Sequence, residues 1–322
     1  MKKILLPILM IFALIFSGCG AQSTENTSTS TNSAAPSSAV ETSAEASQAE
    51  QAKTITYQSE NGPVEVPAAP ERVVVLSSYA GNVMALGVNL AGIDSWSKMN
   101  PHFQEKLKDV QEVTDESIEK IIELNPDLIV GLSNIKNADK LKEIAPTITY
   151  TYGKLDYLTQ HLEIGKLLNK EKEAQTWIDD FKKRAKETGA EIKAKIGDKA
   201  TVSVIENFDK QLYVFGSNWG RGTEILYQEM SLNMPEKVKE NALTPGYFAL
   251  SFEALPDFAG DYVIFSRNKD TDNSFQETDT YKNIPAVKNG HVFEADAKEF
   301  YFNDPLTLDY QLEFFTKSFL GK

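Results

Sequence analysis

The residues best placed to do chemistry lie in one segment, Tyr213-Val-Phe-Gly-Ser-Asn-Trp-Gly-Arg-Gly-Thr-Glu224. Trp219 and Arg221 stand two positions apart, with Gly220 and Gly222 after and between them. Glycine lets the backbone turn tightly and leaves both large side chains free to point outward. Arginine offers a planar fork of donors suited to oxygen atoms. Tryptophan and tyrosine offer flat apolar faces with a polar tip. Together they describe small-molecule binding and not bond breaking. A lone tryptophan more often packs against a core, but the neighbouring arginine and glycines favour ligand contact for Trp219. For Arg221 the competing reading is a surface ion pair with Glu224, which would contribute little.

No catalytic pattern accompanies this segment. The sequence has no phosphate-cradling glycine loop of the P-loop type, no His-Glu-x-x-His and no Gly-x-Ser-x-Gly. The three histidines, His102, His161 and His291, are scattered. Holding bare zinc or manganese would take a cluster of histidines and carboxylates. The reading is therefore a binding protein, not an enzyme, with no cofactor and no metal held directly by side chains. The formal net charge of −13 argues against nucleic acid, which needs a basic face.

The elements that must carry the segment read as α/β. Ile55 to Val66 predicts a hairpin turned at Asn61-Gly62. Arg72 to Leu76 is a continuous apolar run, the mark of a strand buried on both faces. A short helix at Val83–Leu86 ended by Gly87, a strand at Leu90–Ile93, a helix from Ser117 to Leu124 and a strand at Leu128–Val130 follow. Then come a helix at Ala138–Ile144 and a strand at Thr147–Tyr152. From Glu171 to Ile196 apolar residues recur at helical spacing, giving roughly 39 Å of helix, the width of a domain; Gly189 should weaken its second half. The alternation then restarts: strands at Ala200–Glu206 and Gln211–Phe215, a helix capped by Thr223, strands at Tyr262–Phe265 and His291–Glu294, and a final helix at Pro305–Leu320. Alternating strands and helices imply mainly parallel sheets covered on both faces.

The first residues have another purpose. Lys2 and Lys3 precede an apolar run from Ile4 to Phe16, then Ser17-Gly18-Cys19. The run is too short to span a bilayer comfortably and ends in small residues, as a secretory signal does. Small residues before the only cysteine resemble a bacterial lipoprotein processing site, which would leave Cys19 carrying lipid. Ala21 to Lys53 is polar and has no aromatic residue, so it cannot bury enough apolar surface to fold and reads as a tether. The organisation expected is a signal peptide at 1–18, a lipidated cysteine and tether at 19–53, an α/β lobe at 54–157, a helical region at 158–196 and a second α/β lobe at 197–322.

The halves echo each other. Ser117-Ile-Glu119 stands eight residues before Asp127-Leu-Ile-Val130, and Ser251-Phe-Glu253 eight before Asp261-Tyr-Val-Ile264. Capping explains either glutamate alone, but less well why both halves place them alike. At this point the sequence resembles the class of periplasmic binding proteins that serves siderophore and cobalamin importers. The markers are Glu71-Arg-Val-Val-Val-Leu76, Ala85-Leu-Gly-Val88, Ile121 to Val130, Leu167-Leu-Asn-Lys170 and Val287-Lys-Asn-Gly-His-Val-Phe293. The segment from Tyr213 to Glu224 is similar to the cleft of ferric-hydroxamate-binding lipoproteins.

That resemblance implies two Rossmann-like lobes with mainly parallel sheets joined by one long rigid α-helix, with small lobe movement. It implies that Tyr213, Trp219 and Arg221 contact a ferric hydroxamate siderophore of the ferrioxamine or ferrichrome type. It implies that Glu119 and Glu253 dock an ABC permease with a cytoplasmic ATPase. The protein is then a monomer outside the cytoplasmic membrane, tied to its outer face through Cys19, as in a Gram-positive cell. Four aromatics add candidate cleft contacts: Tyr79 after the first buried strand, Trp96 after the next, Tyr152 at the end of a third, and Tyr301 near the last helix. For each, core packing competes with ligand contact. A ferric catecholate would favour several cleft cations, haem an axial His or Tyr, and cobalamin aromatics without a central arginine. A surface lipoprotein for a protein partner would show an exposed apolar patch instead.

Overall fold

Val73, Val74 and Val75 are all fully buried, and successive side chains go to opposite sides of the strand they form. Val73 and Val75 join a core with Tyr57, Val83, Leu128 and Val130, whereas Val74 joins Ile121, Ile129 and Leu141. A strand clothed on both faces needs an unbroken apolar run, which is why alternation is absent from the sequence there. The computed structural model describes residues 53–322; the leader at 1–18, Cys19 and the tether to residue 52 lie outside the described residues.

The hairpin pairs β1 (Thr54–Ser59) with β2 (Gly62–Pro67). Ser59 pairs with Gly62, so the turn is Glu60-Asn61, one position earlier than expected. The first sheet contains β3 (Val73–Val75), β4 (Leu90–Ile93), β5 (Gln111–Glu112), β6 (Leu128–Leu132) and β7 (Thr147–Tyr150). All its pairings are parallel, in the order β5-β4-β3-β6-β7. The second sheet contains β8 (Val202–Phe208), β9 (Gln211–Phe215), β10 (Tyr247–Leu250), β11 (Tyr262–Arg267) and β12 (Val292–Asp296). Its order is β10-β9-β8-β11-β12; β8, β11 and β12 are parallel, while β9 and β10 are antiparallel to their neighbours.

The repeated aspartates do the same work in each half. Asp127, just before β6, accepts the backbone N–H groups of Glu71 at 2.6 Å and Arg72 at 3.0 Å, where β3 begins. Asp261, just before β11, accepts the N–H of Thr201 at 2.8 Å and its hydroxyl at 2.9 Å, where β8 begins. Each carboxylate satisfies donors at the start of the adjacent central strand. The serines are less alike. Ser117 opens the helix Ile118–Leu124, but its hydroxyl accepts from Thr114 at 3.0 Å and does not cap the helix. Ser251 lies in a turn ahead of the helix Leu255–Phe258, so Glu253 precedes that helix and is not in its first turn.

One helix serves both cores. Glu171–Ile196 runs for 26 residues. Near its start Ala174 packs with the first sheet's core beside Ile164 and Leu167; further on, Ile178, Phe181, Ala185 and Ile192 pack with Val202, Val204 and Ile264 of the second. Gly189 is there for contact: a Cβ at that position would lie 2.6 Å from the Met230 backbone. The expected local weakening is offset by close approach to the backbone that ends the helical turn Glu224–Glu229. The final helix, Pro305–Leu320, crosses the same boundary. Asp304 caps it, accepting from Leu306 N at 3.0 Å, Thr307 N at 3.2 Å and the Thr307 hydroxyl at 2.8 Å. Gly81 of the first lobe lies against that carboxylate so closely that a Cβ would sit 2.0 Å from its carbon. Asp309 joins the two long helices, accepting from Trp177 Nε1 at 3.0 Å and Arg184 Nη2 at 2.6 Å. Among the described residues no helix is long and apolar enough to cross a membrane.

Candidate ligand-binding cleft

Between the sheets lies a cavity of ≈ 440 Å³, within the range of small-molecule sites. The first lobe lines it from the carboxyl edge of its parallel sheet: Ser78 follows β3, Trp96 follows β4, Leu132 ends β6 and Tyr152 follows β7. Loops at that edge are where open α/β sheets bind ligands. Phe208, at the end of β8, and Tyr301, beyond β12, obey the same rule. The Trp219–Arg221 segment arrives differently. It follows β9, which runs antiparallel to β8, so the loop doubles back to reach the cleft.

The return is held by backbone geometry. Gly220, Arg221 and Gly222 have φ of 70°, 58° and 78°, three left-handed residues in a row. For a non-glycine residue this conformation costs roughly 1–2 kcal/mol. The Arg221 N–H donates to Phe300 O at 2.7 Å, and a Cβ on Gly220 would lie 2.6 Å from Tyr301 O. Glu224 ties the loop from behind: its buried carboxylate accepts from Gly220 N at 2.9 Å, Asn303 Nδ2 at 3.1 Å and the Thr223 hydroxyl at 3.1 Å. Thr223 also donates to Gly220 O at 2.7 Å, so it braces the loop and does not cap the widened helical turn Glu224–Glu229.

Arg221 does not pair with Glu224. Its Nε donates to Glu206 Oε2 at 2.7 Å and its Nη1 to Trp219 O at 3.2 Å. The guanidinium lies between two rings, with its central carbon 4.7 Å from the centre of Phe215 and 4.8 Å from that of Tyr301. Only 11% of the arginine side chain is exposed and none of Glu206. The pair fixes the fork's position, and among the described residues Nη2 has no protein acceptor.

Aromatic rings make the walls. Trp219 lies over Gly246, where a Cβ would come within 3.0 Å of the indole; its ring centre is 5.2 Å from that of Tyr247. Tyr213 meets Tyr247 edge-on at 5.7 Å. Contacts cross from lobe to lobe: Trp96 stacks on Tyr301 at 4.9 Å and 19° and lies 6.0 Å from Phe302, and Tyr152 meets Trp219 edge-on at 5.9 Å. Burial raises the phenol pKa of Tyr301, with the Glu206 charge adding to it. Tyr152 is raised by burial and by Glu224, with Arg221 opposing. Both stay neutral hydroxyls at physiological pH, able to donate a hydrogen bond. Among the described residues no group of three His, Cys, Asp or Glu could hold a metal ion. The arrangement therefore fits an oxygen-centred ligand with a carbon-rich exterior.

The family model described as periplasmic binding protein matches residues 73–299. This chain belongs to the periplasmic binding protein family. The binding protein is 41% identical over 281 residues to the iron(3+)-hydroxamate-binding protein FhuD of Bacillus subtilis (strain 168), an alignment covering 85% of this chain and 89% of the relative. It is 35% identical over 325 residues to the iron(3+)-hydroxamate-binding protein YxeB of the same organism, covering 98% and 96%. Its fold matches the structure of FhuD2 from Staphylococcus aureus with bound ferrioxamine B at a TM-score of 0.74, with 33% identity, covering 78% of this chain and 99% of that one.

Six residues singled out from the sequence thus line the binding protein's cleft together: Tyr213, Trp219, Arg221, Trp96, Tyr152 and Tyr301. Tyr79 does not. It is 6% exposed, packs edge-on to Tyr150 at 5.4 Å and belongs to the first lobe's core. Ser78, at a φ of 48°, turns the chain so that its own side faces the cavity and the next side chain goes inward. Glu119 and Glu253 lie on the surface, away from the cavity. Tyr247, Phe208 and Glu206 were missed. Tyr247 opens an edge strand for which no periodic run gives notice, and Glu206 finds its partner only through the loop's reversal.

Proposed function

We propose that this periplasmic binding protein captures a ferric hydroxamate siderophore of the ferrioxamine or ferrichrome type and delivers it to an ABC importer. The observation that carries the reading is Arg221, clamped by Glu206 between Phe215 and Tyr301 at an aromatic cleft. A hydroxamate siderophore already surrounds its iron with oxygen atoms, so the protein need not supply metal ligands. It needs donors aimed at those oxygens, for which Arg221 is suited. It also needs apolar faces for the carbon scaffold, a role for Trp219, Tyr213, Tyr152, Trp96 and Tyr301. Relatives named for iron(3+)-hydroxamate binding and a similar structure holding ferrioxamine B support the ligand class.

The protein acts by binding, without catalysis. In this proposal Cys19 carries the lipid and residues 20–53 give the domain reach from the outer face of a Gram-positive cytoplasmic membrane. The loaded monomer then presents exposed Glu119 and Glu253 to a permease, whose cytoplasmic ATPase drives transfer. Tryptophan fluorescence titrations test the ligand. Saturable quenching by ferrioxamine B or ferrichrome, weakened at least tenfold in Trp219→Ala and Arg221→Ala, is expected; a response only to haem, cobalamin or a ferric catecholate would overturn the ligand class. Reversing both charges, Glu119→Lys with Glu253→Lys, should abolish cellular uptake and spare ligand binding. Normal uptake in that variant would remove the docking role.

A further inference from the structure

We infer that Glu206 determines the charge this cleft accepts: by cancelling Arg221, it makes the site favour ferric complexes without net negative charge and turn away polyanionic ones. The inference rests on the siderophore reading above and deepens it. Among the described residues that line the cavity, Arg221 is the only one with a charged side chain. Its apparent suitability for an anion is misleading, because a carboxylate stands directly on its Nε at 2.7 Å. That carboxylate is fully buried, so neither water nor salt screens it well. One of its oxygens, Oε1, has no hydrogen-bond partner among the described residues; its charge is offset chiefly by the arginine, with the Ser266 hydroxyl donating to Oε2 at 3.2 Å. A second buried carboxylate, Glu224, holds the same loop through Gly220 N and Asn303 Nδ2. The two buried carboxylates that hold this loop, Glu206 and Glu224, outnumber its one cation, Arg221. The cleft offers directed hydrogen-bond donors with no surplus positive charge.

Iron siderophores differ in this respect by their ligating groups. Three hydroxamate monoanions cancel the charge of Fe(III) and leave a neutral centre, and a protonated amine on the chain makes the complex a cation. Three catecholate dianions overshoot to a trianion. The neutral centre needs a donor and no counter-charge, which is what the Arg221–Glu206 pair provides. The trianion would have to enter a low-dielectric site already carrying negative charge. Glu206 is thus a positioning residue: it acts through Arg221, setting both where the fork points and how much charge it shows.

The test measures dissociation constants of the purified full-length protein in detergent for ferrichrome, ferrioxamine B and the trianionic ferric complex of enterobactin. Wild type, Glu206→Gln and Glu206→Asp are compared. The readout is the ratio of trianion to ferrichrome affinity, which a loss of folded protein does not move. Glu206→Gln should raise that ratio by about tenfold or more, and Glu206→Asp, keeping the charge, should leave it near the wild-type value. An unchanged ratio in Glu206→Gln, with ferrichrome still bound, overturns this inference and leaves the siderophore reading intact. If wild type binds none of the three, the siderophore reading itself falls. Should Glu206→Gln fail to fold, the double variant Arg221→Gln with Glu206→Gln decides: it removes both charges and should keep the trianion-to-ferrichrome ratio near the wild-type value, and a ratio lowered about tenfold or more would mean that Arg221 was not cancelled and refute the inference.

Discussion

Two buried titratable groups, Asp304 against Gly81 and His161 against Asn82, should hide each other's effect on stability, and separating them gives a sharp experiment. Burial raises the Asp304 carboxyl from 3.8 to about 6. Burial lowers the His161 imidazole from 6.5 to about 4; its only side-chain partner among the described residues is Asn82, at 3.3 Å. Between pH 4 and 6 the folded chain keeps the Asp304 proton while the unfolded chain gives it up. Stability from this group is therefore present at low pH and lost as pH rises towards about 6. For His161 the unfolded chain takes a proton that the folded chain refuses, so its contribution is present above the ordinary histidine value and lost as pH falls. At about 1.4 kcal/mol per pH unit each effect is about 3 kcal/mol, and the signs oppose.

Asp304→Asn keeps a good helix cap and removes one of the two titrations. Its stability, relative to wild type, should fall by about 3 kcal/mol between pH 6.5 and pH 4, about 5 °C in melting temperature for a chain of this size. His161→Asn keeps an acceptor towards Asn82 and should show the reverse trend relative to wild type. Thermal melts from pH 4 to pH 7 measure both differences, and carboxylates elsewhere cancel because all three proteins share them. If the two variants tracked wild type across the series, the opposed burial of Asp304 and His161 would be refuted.

Other expected outcomes follow from single contacts. Gly222→Ala combines a φ of 78° with a Cβ placed 2.4 Å from the Phe315 ring; it should lower stability by about 2–4 kcal/mol in denaturant titrations and weaken ligand binding in the folded fraction. Asp127→Ala and Asp261→Ala should each cost about 1 kcal/mol, the two costs adding in the double variant because the sites lie in different sheets; chemical denaturation measures this. Phe181→Ala removes a fully buried ring of the long helix and should cost about 3–5 kcal/mol by the same assay.

How far the sequence carries differs from element to element. The helices Glu171–Ile196 and Pro305–Leu320 begin and end where periodicity and capping place them, because long amphipathic patterns and an Asp-Pro start leave few alternatives. Buried parallel strands are equally plain in Arg72–Leu76 and Leu128–Val130. Strand β10 escaped notice, since an edge strand with three exposed residues carries neither an apolar run nor an alternation. At the cleft, Trp219 and Arg221 were readable from residue type and their glycines. Two things were not. The side on which Tyr79 falls depends on one left-handed residue, Ser78, and the Glu206 partnership depends on three successive left-handed residues folding a loop back over 15 positions. Such reversals are set by tertiary packing and have no periodic signature.

The long helix has a consequence for how the molecule comes apart. Ala174 is sealed in one lobe's core and Phe181 in the other's, about 10 Å further along the same rod. Neither lobe can melt without stripping part of the helix that completes its neighbour. The two sheets should therefore unfold in a single calorimetric transition. Ligand bound between them should raise that one transition as a whole and not divide it into a protected and an unprotected half.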